Sequence, residues 1–341
     1  IHPVKVTGFL QDITRNPKLA LTVDRLRAGY AGHIEALLRG QIEITSSPQG
    51  FTLTAQGRMD ELTGESLTKI RPLITPGFGV KFAGSRHSET GLITLKDFAL
   101  ENNLVKLAGK GEISPPTGSF SATLKSTLQD ISLVITDLSG TMDLTAELSR
   151  KETEAPLVAK VDASLQKLDL GDQTANEFIG PSPRLTALIT HTVGGITLFE
   201  KADLTARHLA LTAQAHLSAQ QDISAGEYKL RIFDLEKIKS LNQLKMNGGL
   251  DMWGQISGPL NSPSMTLDTA LEQFHLQNLA LQNLKAQLQA DNIFTAPEGK
   301  LSFNSQSNYG PLSGRANISS PKKTIFQFSD IGLSVGKYQV T

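Results

Sequence analysis

The feature that most constrains this chain is a two-residue alternation of apolar and polar side chains, repeated from one end to the other. From Phe120 to Leu128 every even position is apolar or small and every odd one polar. The pattern recurs over Met142–Leu148, Ala159–Leu165, Leu209–Leu217 (Ala210 apart) and Leu284–Ala290. In an extended strand successive side chains point to opposite faces. Each segment therefore has one apolar face and one wet face. Wet-faced sheets are normally antiparallel, because parallel sheets are covered on both sides.

Turn signals cut these runs at short intervals: Glu101-Asn102-Asn103, Pro115-Pro116-Thr117-Gly118, Gly194-Gly195, Gly248-Gly249 and Gly336-Lys337. Helix signals are few. Thr174 to Glu177 fits a capping box, with Phe178 and Ile179 inside and Gly180-Pro181 as the stop. Asp234 is placed to cap a helix carrying Leu235, Ile238, Leu241 and Leu244, and a third short helix is expected from Thr63 to Ile70, stopped by Pro72. All three read as lids on a sheet. A loose repeat is also present. The phrase from Ile93 through Asp97-Phe98 to Val105 and Leu107 returns around Asp330, in a shorter form at Asp203, and more loosely at Asp24. Such units read as hairpins laid side by side in a quasi-one-dimensional stack. The predicted fold class is all-β: an elongated, curled, antiparallel-rich sheet, a β-taco or half-pipe, with an apolar concave face and a few short helices. Residues 1–341 read as one continuous repetitive segment with possible sub-units 1–72, 73–180, 181–247 and 248–341. Roughly twenty strands in one ladder would reach about 100 Å, beyond the ~40–45 Å of a bilayer with its headgroups.

Composition narrows the function. Thirty-three basic and 33 acidic residues cancel, so the basic footprint of a nucleic-acid binder is missing. No cysteine is present, which rules out a disulfide frame, a thiol nucleophile and a cysteine-ligated metal. No apolar run approaches the ~18 residues of a membrane-spanning helix. The chain starts at Ile1 without a signal peptide and stops within a strand-like run at Thr341, so it reads as a fragment of a longer protein. Gly254 to Gly258 has the wrong spacing for a nucleophile elbow, and Gly77-Phe78-Gly79 and Gly109-Lys110-Gly111 read as strand-end glycines. His208 and His216 are too far apart along a strand, at ~3.3 Å per residue, to ligate one metal, and read as solvated. Asp97 and Asp330 read as turn or strand-edge residues. The mixed run from Arg150 to Glu154 reads as a solvated turn. No catalytic residue, cofactor or metal is expected, and the chain is read as not an enzyme.

What remains is the apolar face. Its candidate residues are Ile93, Leu95, Phe98, Leu100, Val105 and Leu107; Phe120, Ala122, Leu124 and Leu128; Met142, Leu144, Leu148, Val161 and Leu165; Leu185, Ile189 and Leu204; Leu209, Leu211, Leu217, Leu230 and Ile232; and Met265, Leu267, Leu284, Leu288, Leu301 and Phe303. A face of this size needs a cover. A dry sandwich or β-helix, a second chain, or lipid chains lying in a half-pipe would each serve. On pattern alone the dry core is the commonest fate of an aliphatic stripe.

One phrase adds to the pattern. From Trp253 and Gly254 through Gly258-Pro259-Leu260 and Pro263 to Met265 and Leu267, a strand ends in glycine, turns at Gly-Pro-Leu, passes a proline and restarts. This resembles a recurring phrase of TamB-type proteins of the AsmA-like superfamily. The segments from Phe178 to Leu185 and from Arg71 to Ile74 are similar to that family too, and the resemblance extends over nearly the whole chain. It implies a periplasmic section of a long Gram-negative envelope protein anchored in the inner membrane. It also implies a taco-shaped groove that carries phospholipid acyl chains between inner and outer membranes. A BamA-like outer-membrane assembly barrel is implied as a partner, reached through parts of the protein outside these residues. With the resemblance added, the lipid groove stands ahead of the alternative, a structural or adhesive β-solenoid with a dry core.

Overall fold

In the computed structural model the described residues are 6–11, 17–30, 34–63, 67, 71–74, 77–220, 222–240, 248–276, 279–293, 295–322, 325–336 and 338–340. The chain divides into two compact units, Ile1–Asp169 and Leu170–Thr341. The first contains β1 (Val6–Gln11), β2 (Lys18–Tyr30), β3 (Ile34–Ser47), β4 (Gly50–Thr63), β5 (Phe78–His87), β6 (Ile93–Glu101), β7 (Val105–Ser114), β8 (Ser119–Leu128), β9 (Ser139–Arg150) and β10 (Leu157–Asp169). The second contains β11 (Arg184–His191), β12 (Thr197–Thr205), β13 (Leu209–Leu217), β14 (Asp222–Ile232), β15 (Leu250–Pro259), β16 (Ser264–Leu276), β17 (Leu279–Asp291), β18 (Glu298–Ser307), β19 (Gly310–Lys322), β20 (Ile325–Val335) and β21 (Tyr338–Val340).

Within each unit every strand pairs antiparallel with its neighbours in sequence, from β1 to β10 and from β11 to β21. Among the described residues no ladder joins first strand to last, so neither meander closes into a barrel. The all-β antiparallel architecture read from the alternation is the one observed.

Bulges repair the alternation where it breaks. Leu95 and Phe98 are three residues apart and would point to opposite faces of a regular strand. A register shift between them sets Leu95 against Gly111 and Phe98 against Gly109, and both keep the apolar side. The extra residues there include Asp97, which pairs with Lys81 at 2.7 Å. The repeat units at Asp24 and Asp330 also contain shifts, between Val23 and Leu26 and opposite Arg315 and Asn317. Asp330 has φ of 50° and accepts a 2.6 Å hydrogen bond from Asn317. Asp24, Asp97 and Asp330 are thus bulge residues on the strands themselves, whereas Asp203 is paired in register with Thr186 and Thr212.

The non-strand pieces gather at one end of each unit's strands. In the first unit α1 (Arg71–Ile74) buries Leu73 and Ile74 against Phe78, Leu128 and Ile131. Of the helix expected over 63–70, Thr63 is the last residue of β4, and the rest, Leu67 apart, lies outside the described residues; Pro72 sits inside α1. Proline is tolerated in a first turn, where its missing N–H leaves no hydrogen bond unmade. Asn102 fastens this cap to the neighbouring turn. It donates to Leu73 O at 2.8 Å and accepts from the backbone N–H groups of Leu104 and Val105 at 2.8 Å each.

In the second unit α2 (Gln173–Ile179) is capped by Asp172, which accepts from Ala175 N at 2.8 Å, and ends at Gly180 with φ of 72°. The box expected at Thr174 is thus displaced by an acid two residues earlier. Glu177 instead reaches out to accept from Ser240 N at 2.8 Å, and that bond holds its carboxyl below the usual range. Residues Leu235–Lys237 form a single 3₁₀ turn; Asp234 has left-handed backbone and makes no capping bond. Leu241 and Leu244 lie outside the described residues.

The cores are small. Thirteen hydrophobic core side chains are buried among the described residues, and most belong to the two capped clusters. The chain exposes 21694 Å². Two compact units of half the mass each would expose about 16,400 Å² together. Among the described residues most apolar positions of the strands are only half-buried, in keeping with that larger surface.

Candidate functional site

The strand registers turn the separate alternations into rows that cross the sheet. In the second unit one row runs Leu185, Leu204, Leu211, Leu230, Met252, Thr269, Ala286, Phe303, Gly314, Leu333. The next holds Ala213, Tyr228, Gly254, Leu267, Leu288 and Leu301. A third holds Ile189, Phe199, Ala215, Gly226, Ile256 and Met265. Leu209 and Leu217 lie at either end of β13 on the same face. The first unit repeats the arrangement: Leu95, Gly111, Ala122 and Leu148 form one row. Phe98, Gly109, Leu124, Ala146 and Val161 form another, and Leu100, Leu107, Ser126 and Leu144 a third.

All 29 candidates therefore stand on one face of their own unit. The caps divide them. Leu128 is buried in the first cluster, with Leu100, Val105, Met142 and Leu165 packed against it. Ile232 and Leu284 pack against the second. The others form an open floor, half-buried for the most part, with Ile93 and Leu185 exposed. Along β15 the distinction is sharp: Leu250, Met252, Gly254 and Ile256 are sheltered, whereas Asp251, Trp253, Gln255 and Ser257 are exposed.

Large and small residues alternate across the floor. The Phe303 ring lies over Gly314, where an added Cβ would collide with it. Tyr228 lies across Gly254 and donates to Thr266 O at 2.7 Å. Burial, reinforced by the Asp268 charge, pushes its phenol up to about 12. An unfolded tyrosine ionises near 10. Between those values the unfolded chain loses this proton and the folded chain keeps it, so stability falls as pH rises from about 10 to 12 and is unaffected by this group below. Alkaline titration of phenolate absorbance should show one late component in the native protein, absent in Tyr228→Phe.

The opposite face is polar and internally paired. Arg231 and Asp251, directly opposite, meet at 2.6 and 3.0 Å; this pairing holds the Asp251 carboxyl low. Gln214 donates to Glu227 at 2.9 Å and Gln287 to Asp268 at 2.7 Å. Between two polar rows on this face runs a channel of about 1010 Å³, crossing β12 to β18. Its lining includes Trp253, Lys229 and Asp268 on one side and Gln255, Glu227 and Lys300 on the other. Its cations and acids balance, and side chains within each wall hydrogen-bond one another, so it has the character of a solvated sheet surface.

Other expectations resolve individually. His216 is exposed on the polar face of β13. His208 is not solvated: it is 8% exposed, edge-on to Phe233, with Nδ1 unpartnered 4.0 Å from Asp234. The described residues contain no group of three or more metal-ligating side chains and no helix long and apolar enough to cross a membrane. Several floor residues escaped the sequence reading. Phe199 was hidden by the register shift at Glu200 and Lys201. Tyr228, Met252 and Ile256 follow the alternation of β14 and β15 and belong to the same floor. Compared with known proteins, the chain matches no family model, no curated protein and no solved structure.

Proposed function

We propose that this chain is a section of an intermembrane phospholipid conduit, carrying acyl chains along its aliphatic floor. The observation that supports it is the floor itself: ten consecutive strand positions in register, from Leu185 to Leu333, with only one polar residue, Thr269, among them. A dry core would bury such a row; here it stays half-open to solvent. Each buried CH₂ of a chain on this floor gains ~0.8 kcal/mol. A floor of Leu, Ile, Val and Ala without converging hydrogen-bonding groups suits passage better than specific retention. The resemblance to TamB-type proteins supports a periplasmic setting for such a conduit, within a protein anchored in the inner membrane of a Gram-negative cell. A BamA-like barrel would be met through other parts of that protein.

The test is positional. Photo-crosslinkers at Leu124, Leu144 and Leu211 should yield lipid adducts by mass spectrometry, and the same groups at Thr123, Thr145 and Thr212 on the polar face should not. A detergent-free monomer with no adducts on the apolar face would sink the conduit and return the β-solenoid reading.

A further inference from the structure

At the turn end of the first unit the apolar face carries charge that the rows beneath it lack. The outermost row runs Phe51, Arg86, Ile93, Ile113, Phe120, Arg150. Arg86 follows Gly84, and Arg150 follows Leu148, at two-residue spacing, so both guanidinium groups stand on the aliphatic side of the sheet. Between them Ile93 and Ile113 are 40% and 38% exposed, and Phe51 beside Arg86 is 42% exposed. Arg150 Nε donates to Gly118 O at 3.2 Å. That bond braces the side chain on the turn and uses one of its five donors. Neither arginine has an ion pair among the described residues, although Glu89, Glu152 and Glu154 lie in the adjoining turns. Exposed apolar groups and unpaired cations thus share one rim.

We propose that this rim seats the phosphate of a membrane lipid whose acyl chains lie on the aliphatic rows below. The inference rests on the conduit reading and adds to it a headgroup chemistry and a direction for the chains. A guanidinium presents two parallel N–H donors to a phosphate. The two arginines are four strands apart, about 19 Å, so each holds a separate lipid. From Arg150 down β9 to Met142, at the capped end, is eight residues or about 27 Å. One leaflet's chains need about 15 Å, so a lipid held at the rim keeps its tail clear of the cap. Small side chains at Gly111 and Ala122, directly beneath Ile113 and Phe120, leave room at the level where chains would enter. At the corresponding end of β11, β12 and β13 in the second unit stand His191, Thr197 and Leu217 instead.

The experiment uses the whole chain with vesicles of a neutral, phosphate-free galactolipid carrying either tail-labelled phosphatidylglycerol or the same-tail diacylglycerol. The native protein should extract several-fold more of the phospholipid. Arg86→Gln with Arg150→Gln should bring phospholipid uptake down to the diacylglycerol level, and Arg86→Lys with Arg150→Lys should keep part of the preference. Arg86 is exposed and Arg150 half-buried at the turn end, and circular dichroism checks that the variants fold. Equal uptake of the two lipids by the native protein, or an unchanged preference in the Gln variant, overturns the headgroup seat and leaves the conduit standing. Uptake of neither lipid overturns both. Inorganic phosphate that shields the arginines from phenylglyoxal as well as phosphatidylglycerol does would assign the rim to free phosphate and overturn the lipid assignment.

Discussion

Leu267→Glu combined with Leu288→Glu should lower acyl-chain uptake about tenfold or more, with the sheet intact. The two residues oppose each other directly on neighbouring strands, β16 and β17, in the middle of the floor. Loss of contact with only two methylenes, at ~0.8 kcal/mol each, already corresponds to about a tenfold change in affinity. Carboxylates add a desolvation cost to any chain laid over them. Both sites are half-open, so the charges keep access to water and the fold tolerates them. Thr266→Glu with Gln287→Glu puts the same charges on the polar face of the same strands and should leave uptake unchanged. Equal losses from both pairs would mean that net charge, not the floor, governs uptake.

Ile238→Ala should destabilise the second unit by about 2–5 kcal/mol, the range for removing a well-packed aliphatic side chain. Ile238 is 0% exposed and packs with Leu235 and Leu281, with Phe178 of α2 and Ile232 and Leu284 of the sheet against the same cluster. Few other side chains in the unit are buried so fully, so the cap carries a large share of its cooperative packing. Urea unfolding followed by Trp253 fluorescence measures the change, and Ile238→Val, expected at about 0.5–1.5 kcal/mol, calibrates it. A cost below that of the Val variant would mean that the cap rests loosely on the sheet.

The cap and the floor divide the labour between stability and access. Where 3₁₀ and helical pieces cover the strand ends, Leu128, Leu235 and Leu281 are buried. Where tight turns join the strands, Phe51, Ile93, Ile113, Val193 and Ile196 stay exposed. A chain with a wholly covered face would be more stable and would offer nothing to a ligand. The polar face contributes by cross-strand pairing, as between Thr127 and Asp143 at 2.7 Å or Thr212 and Asp203 at 2.9 Å, each a modest term in water.

Sequence alone determined the class of structure and the sidedness of each strand, because both follow from local geometry. A strand has period two, so Met142, Leu144 and Leu148 must share a face whatever lies beside them. Glycine and proline likewise mark turns through their own backbone limits. Three things were decided only in the tertiary structure. Bulges at Lys96-Asp97 and Glu200-Lys201 set which side Phe98 and Phe199 occupy, and a bulge exists only relative to the neighbouring strand. The start of α2 lies at Asp172 rather than Thr174, with Phe178 packed against the cap that the helix helps to build. Finally, the same alternating stripe serves a dry core or an open floor equally well. What separates them is whether a second layer covers it, a long-range property to which a two-residue period is blind. Here cover reaches one end of the strands, and the rest of the apolar face, rimmed in the first unit by Arg86 and Arg150, remains open.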